Sequence, residues 1–229
     1  MIMKSKVGVK ITVVENGPYR VEGSVPLAKQ TIVTNDDGDS VEWRQGDECE
    51  TKVTYNLCRC GQSASKPFCD GSHARVGFDG TETASRGPYL QEADVLRGPT
   101  LKMTDLPSLC ADARFCDADG SAWHLVTRDG PEAAVLTTRQ ARMCPSGRLV
   151  AWDRASNVAL EPKFDPSIGL VEDPSQGSAG PLWVRGGIPI VSADGEDYEI
   201  RNRVTLCRCG ASNNKPFCDG SHVKIGFTD

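Results

Sequence analysis

Two segments of this chain repeat almost letter for letter, and each carries a full set of metal donors. Residues 58–73 read CRCGQSASKPFCDGSH and residues 207–222 read CRCGASNNKPFCDGSH. Cys58, Cys60, Cys69 and His73 correspond in order to Cys207, Cys209, Cys218 and His222, at one constant offset. The spacing Cys-x-Cys-x8-Cys-x3-His thus supplies three thiolates and one imidazole twice, in a chain with only 3 histidines. Any fold of this sequence has to present two equivalent loops with their sulfurs and imidazole turned inward.

The likeness runs upstream of the loops. GPYRVEGSVPL at 17–27 resembles GPLWVRGGIPI at 180–190, with a longer stretch before the first loop than before the second. The turn signal Asn35-Asp-Asp-Gly38 between Val/Ile-rich runs assigns that extra length to a hairpin. Residues 1–79 and 180–229 are therefore read as two versions of one unit. Two copies are too few for a solenoid and fit a pseudo-twofold pair within one chain, so a monomer is expected.

Gly/Pro/Ser-rich stretches predict linkers over 80–99 and 173–179, leaving residues 100–172 as an insert of different texture. Within it, residues 130–142 read as a helix with Pro131 near its first position, and residues 149–152 as a strand. The expected fold is mainly β, with a small α+β module inserted between the two related units.

Composition narrows the function. The chain has 229 residues, of which 10 are cysteines, and its 26 basic and 31 acidic residues give a net charge of −5. That lacks the basic footprint of a nucleic-acid binder. No apolar run approaches the roughly 18 residues of a membrane span. Residues 1–17 alternate apolar and polar positions as a strand does and lack the pattern of a signal peptide, so a cytoplasmic location is expected. In a reducing compartment, clustered cysteines read first as metal or redox ligands.

Two metals suit the donor set. Three cysteines and one histidine can hold a structural zinc, although zinc loops usually open with two to four residues between their first cysteines. The single intervening residue here also suits one iron of a two-iron cluster, with the third cysteine and the histidine on the other iron. After Cys69, Asp70 reads as the N-cap of a short helix through Val76, with Gly77 closing it and Phe78 packing behind. Asp219, Gly226 and Phe227 repeat that pattern.

Both segments resemble the signature of the CDGSH iron–sulfur (NEET-type) family, Cys-x-Cys-x2-Ser/Thr-x3-Pro-x-Cys-Asp-Gly-Ser/Ala/Thr-His. Ser63, Pro67 and Ser72 fill its variable slots in the first copy, and Ser212, Pro216 and Ser221 in the second. The resemblance implies a [2Fe–2S] cluster in each copy, bound by Cys58, Cys60, Cys69 and His73 and by Cys207, Cys209, Cys218 and His222. It also implies a strand-rich cap shared by two adjacent cluster loops, and a redox or cluster-accepting protein as partner. Replacing one thiolate by neutral imidazole removes a negative charge. The potential should then lie between plant-type ferredoxins near about −400 mV and the two-histidine Rieske centres at about −150 to +300 mV.

The insert holds Cys110, Cys116 and Cys144. Cys110 and Cys116 occupy the first and third positions of a Cys-x2-Cys-x2-Cys run whose second position is Ala113, and Cys144-Pro145 resembles the remote ferredoxin cysteine. The module looks like the divergent single-cluster ferredoxin domain found beside CDGSH segments. Such relatives carry a histidine where this chain has Asp112. Three thiolates with a carboxylate could hold a four-iron or three-iron cluster, or the three could be ordinary thiols. His124 and Cys49 read as structural or surface residues. No nucleophile–base pair, phosphate loop or carboxylate pair stands out, so a non-enzymatic carrier of electrons, of iron–sulfur clusters or of both is expected, with a zinc-stapled interaction module as the alternative.

Overall fold

The computed structural model describes residues 8–229. In the first unit, β1 (Lys10–Val13), β2 (Tyr19–Glu22), β3 (Leu27–Thr34), β4 (Ser40–Cys49) and β5 (Thr54–Leu57) lead into the first donor loop, which ends in α1 (Ser72–Arg75). The part of the expected N-terminal strand before Gly8 lies outside the described residues. The β3–β4 hairpin turns where the sequence placed it. Asn35 Oδ1 accepts from the Asp37 and Asp39 amides, and Gly38 takes φ 87°.

The expected linker over 80–99 is ordered instead. It contains α2 (Tyr89–Glu92) and β6 (Asp94–Arg97), and β6 is the edge of a three-stranded antiparallel sheet with β7 (Leu101–Asp105) and β8 (Leu149–Asp153). Between β7 and β8 lie α3 (Ala122–Leu125) and α4 (Pro131–Met143). Met103, Ala122, Val126, Ala141 and Leu149 form the insert's own core.

The chain returns to the main body at β9 (Ser167–Asp173), followed by β10 (Ser178–Arg185), β11 (Ile190–Val191) and β12 (Arg203–Leu206), and then the second donor loop with α5 (Ser221–Lys224). Where a linker was expected over 173–179, Asp173 and Ser178 are paired across a tight β9–β10 hairpin. Its turn is built locally: the Gln176 amide donates to Asp173 Oδ1, and Gly177 is left-handed.

The two units exchange strands. The four-stranded sheet runs β11-β1-β2-β5 and the five-stranded sheet β12-β10-β9-β3-β4. Both exchanged contacts are parallel: β11 joins β1 with Ile11 opposite Ile190, and β3 joins β9 with Leu27 opposite Ile168. Period-two alternation turns Ile11, Val13, Tyr19, Val21 and Leu57 of one sheet toward Leu27, Ile168, Leu170, Leu182 and Leu206 of the other. Every one of these residues is at most 2% exposed, so neither unit owns this core alone. The β10 strand is buried on both faces. Leu182 and Val184 enter the shared core, while Trp183 meets Ile32, Phe115 and Val171 beneath the insert. The architecture is mainly β-sheet with small helices and an inserted module.

Candidate metal centres

Each donor loop is a repeat of one hydrogen-bonded frame. Cys58 and Cys207 leave β5 and β12 with their amides donating to the Pro67 and Pro216 carbonyls, at 2.8 and 2.9 Å. The chain comes back when the Cys69 and Cys218 amides donate to Asn56 and Thr205, both at 2.9 Å. Across each loop, Ser63 Oγ donates to Phe68 O and Ser212 Oγ to Phe217 O, both at 2.7 Å. This is the physical reason for a small hydroxyl residue at that slot.

The aspartate after the third cysteine does more than cap a helix, and it sits one residue earlier than an N-cap. Asp70 accepts from the Ala64 and Ser72 amides, and Asp219 from the Asn213 and Ser221 amides, all at 2.9–3.0 Å. The Ser72 hydroxyl, and then these amides, hold the Asp70 carboxyl well below the usual carboxylate range; at Asp219 burial opposes, and the Ser221 hydroxyl with the amides still lowers it. The residue before each helix is instead left-handed Gly71 or Gly220. At the helix ends, Gly77 and Gly226 are left-handed, and the Phe78 and Phe227 amides donate to His73 O and His222 O at 3.0 Å. That closure fixes each histidine backbone.

The donors group in pairs. Cys58 Sγ is 3.8 Å from Cys60 Sγ and Cys69 Sγ is 3.4 Å from His73 Nδ1; in the second loop the distances are 3.6 and 3.4 Å. Two thiolates on one tetrahedral metal at about 2.3 Å would stand about 3.7 Å apart, so each pair matches the bite of one metal. Among the described residues no three His, Cys, Asp or Glu side chains converge on a single ion position. Burial, and then the neighbouring Cys207, push the Cys218 thiol well above its ordinary value. The donor set fits a two-metal group.

The loops touch each other. Cys60 and Cys209 form an antiparallel bridge. The next residues are left-handed glycines, and a Cβ on Gly61 would sit 2.5 Å from Cys209 O, one on Gly210 2.6 Å from Cys60 O. Only glycine permits this approach from both sides.

Sequence reasoning missed the arginine inside each Cys-x-Cys. Arg59 and Arg208 are 1% and 3% exposed. Arg59 donates to Val14 O and Gly80 O and stacks over Tyr19 and Phe78. Arg208 donates to Gly180 O and Val171 O and pairs with Glu172 and Asp229. Their identity in both copies was the available signal. Tyr19 went unnoticed too, because its counterpart at 182 is leucine; its hydroxyl donates to Cys207 O and Pro216 O, tying the first unit to the second loop.

The loops differ in cover. Thr83 and Ala84 donate to Lys215 O on one side of the second loop, and on the other Asn214 Nδ2 donates to Ser108 O and Gly220 lies against Asp112. His222 is consequently 4% exposed and Cys218 3%, whereas Cys69 and His73 are half-buried. Burial lowers the His222 pKa, with Asp112 opposing.

In the insert, Cys110, Asp112, Cys116 and Cys144 line one small cavity. Asp112 and Arg114 are both left-handed, at φ 54° and 60°, an uncommon conformation for such residues and one the surroundings must enforce. Burial pushes Cys116 up to about 12, with Asp117, Cys144 and Cys110 adding to it. Buried Arg203 of β12 reaches across to donate to the carbonyls of Ala141, Cys144 and Leu149, so the Cys144 turn hangs from the strand that runs into the second loop. Burial brings Arg203 down to about 10. Cys49 packs at the edge of the main core, and His124 lies in α3. Neither stands in a donor loop.

Residues 16–74 and 179–223 match the family described as iron-binding zinc finger, CDGSH type, and residues 96–154 match a family described as a divergent 4Fe-4S mono-cluster. No curated protein matches the chain. The second match corrects the expected cofactors: two [2Fe–2S] clusters do not describe a chain whose insert belongs with four-iron modules. Its three thiols and Asp112 share one cavity, which fits that description. CDGSH and ferredoxin-like modules are non-catalytic iron–sulfur and electron-transfer units, and no helix of the described residues is long and apolar enough to cross a membrane. The chain carries two CDGSH domains in tandem with a divergent ferredoxin-like module inserted between them.

Proposed function

We propose that this protein is a mixed-cluster electron carrier. Each Cys3His loop holds a two-iron centre through Cys58, Cys60, Cys69 and His73 or through Cys207, Cys209, Cys218 and His222. Cys110, Cys116 and Cys144, with Asp112, hold a four-iron centre. Bound there, the clusters supply one-electron chemistry. The reading rests above all on the pairing of donors, two at 3.6–3.8 Å and two at 3.4 Å in each loop, where one zinc would draw all four together.

The chain's own residues order these centres. Gly220 seats the second loop against Cys110 and Asp112. The Cys60–Cys209 bridge then joins the second loop to the first. Half-buried Cys69 and His73 leave the first loop as the face for a redox or cluster-accepting partner, while Arg59 and Arg208 place buried positive charge behind both loops. The two units form a pseudo-twofold cap through exchange of β3 and β11, so the protein works as a monomer, and its clustered thiols suit the reducing cytoplasm. In this division residues 8–79 and 167–229 make the paired units and residues 94–153 the insert.

Visible absorption of protein purified without oxygen tests the reading. A red-brown protein that bleaches with dithionite is expected; a colourless protein holding stoichiometric zinc overturns it.

A further inference from the structure

Away from the three donor sites, a cleft of about 840 Å³ opens between α4 of the insert and the outer face of the five-stranded sheet. Trp43, Phe164 and Trp183 line the sheet side, and Val135, Thr138 and Met143 face them from α4. The rings are already ordered: Trp43 and Trp183 lie 4.7 Å apart, and Phe164 meets Trp183 edge-on at 5.7 Å. Such a slot suits a flat apolar body.

Its unpartnered buried polar atoms are all donors. Gln30 and Trp183, each 3% exposed, line the cleft, yet Gln30 Nε2 and Trp183 Nε1 have no hydrogen-bond partner. Gln30 can lie there because residue 169 is glycine, where a Cβ would come 2.6 Å from Gln30 Cγ. Arg185 stacks over Trp183 at 4.8 Å and Phe164 at 5.8 Å, and its Nε is unpartnered as well. Buried donors without acceptors are uncommon, because each forfeits its hydration for nothing. Arg142 adds positive charge at the rim, where Arg139 is already paired with Asp119, and neither Asp nor Glu is among the described residues lining the cleft.

We propose that this cleft is a binding site for a small aromatic carboxylate. Trp43 Nε1 donates to Met143 O at 3.0 Å and closes one end of the slot, so the ring enters between Trp183 and α4, and the carboxylate pairs with the Arg185 guanidinium. The Gln30 amide and the Trp183 indole turn their N–H groups to the same oxygens. A carboxylate is the complement because it is acceptor-only, and a guanidinium matches it with two parallel bonds. The walls come from the insert and from strands of both units, so the ligand clamps the insert to the body.

Calorimetric titration of the cluster-loaded chain tests the site, with 2-naphthoate as probe and 2-naphthylmethanol and acetate as controls. One molecule of 2-naphthoate should bind per chain with a Kd of about 10–100 µM, at least about tenfold tighter than either control. Arg185→Met should weaken binding about tenfold or more and leave the cluster spectrum unchanged. Val135→Trp, at an exposed position on α4, should fill the slot and abolish binding even where Arg185→Met fails to fold. No saturable heat with 2-naphthoate, or equal binding by Val135→Trp, overturns the proposal and leaves ordered water as the partner of these donors.

Discussion

Cys60 and Cys209 face each other across a single antiparallel bridge, the point where the two donor loops become one structure. The contact lies between residues remote in sequence, and each belongs to one of the two proposed metal centres. Whatever loosens the bridge therefore acts on both centres.

Replacing either following glycine tests this coupling. Gly61→Ala would place a methyl 2.5 Å from Cys209 O on a backbone at φ 75°. The left-handed strain alone costs on the order of 1–3 kcal/mol, and the contact adds to it. Absorption from both CDGSH centres should fall together in Gly61→Ala and in Gly210→Ala. Loss confined to the mutated loop would show that the bridge carries no load.

Unequal burial predicts unequal resistance to acid. Burial holds His222 below the ordinary histidine value, which favours the neutral, metal-ready imidazole in the fold. The stability this contributes is complete above about pH 6.5, the unfolded value, and is lost as pH falls toward the lower folded value. Half-buried Cys69 and His73 admit water and protons sooner than Cys218 and His222. Bleaching at pH 5.5 should have two phases, and His73→Cys should slow only the faster one and lower the reduction potential of its site. A single phase untouched by His73→Cys would contradict the assignment.

The insert should be separable in chemistry though not in packing. Cys110→Ser removes one of three thiolates from the middle cavity and leaves the eight CDGSH donors in place. Iron should drop by about four per chain while the CDGSH absorption persists. Loss of the second CDGSH centre as well would mean that the contact of Gly220 with Asp112 is essential to that loop.

Strand exchange within one chain predicts a monomer. Light scattering at micromolar concentration should give about 24.7 kDa. A mass near twice that would mean that β3 and β11 are exchanged between chains.

The two repeated loops were legible because their spacing is local: one residue between two cysteines and three between cysteine and histidine fix the loop wherever it sits. The β3–β4 turn and α4 were readable for the same reason, through Asn35, Gly38 and Pro131. The exchange of β3 and β11 was not, because parallel pairing of Leu27 with Ile168 and of Ile11 with Ile190 joins segments far apart in sequence. Residues 167–172 read as part of the insert, since nothing local marks Ile168 and Leu170 as core for the first unit. Arg203 illustrates the same limit: a strand arginine reads as solvent-facing until the Cys144 turn is found above it.

Anaerobic iron and acid-labile sulfide analysis tests the central claim most directly. The account predicts about eight irons and about eight sulfides per chain, from two two-iron centres and one four-iron centre. Stoichiometric zinc without sulfide would contradict it.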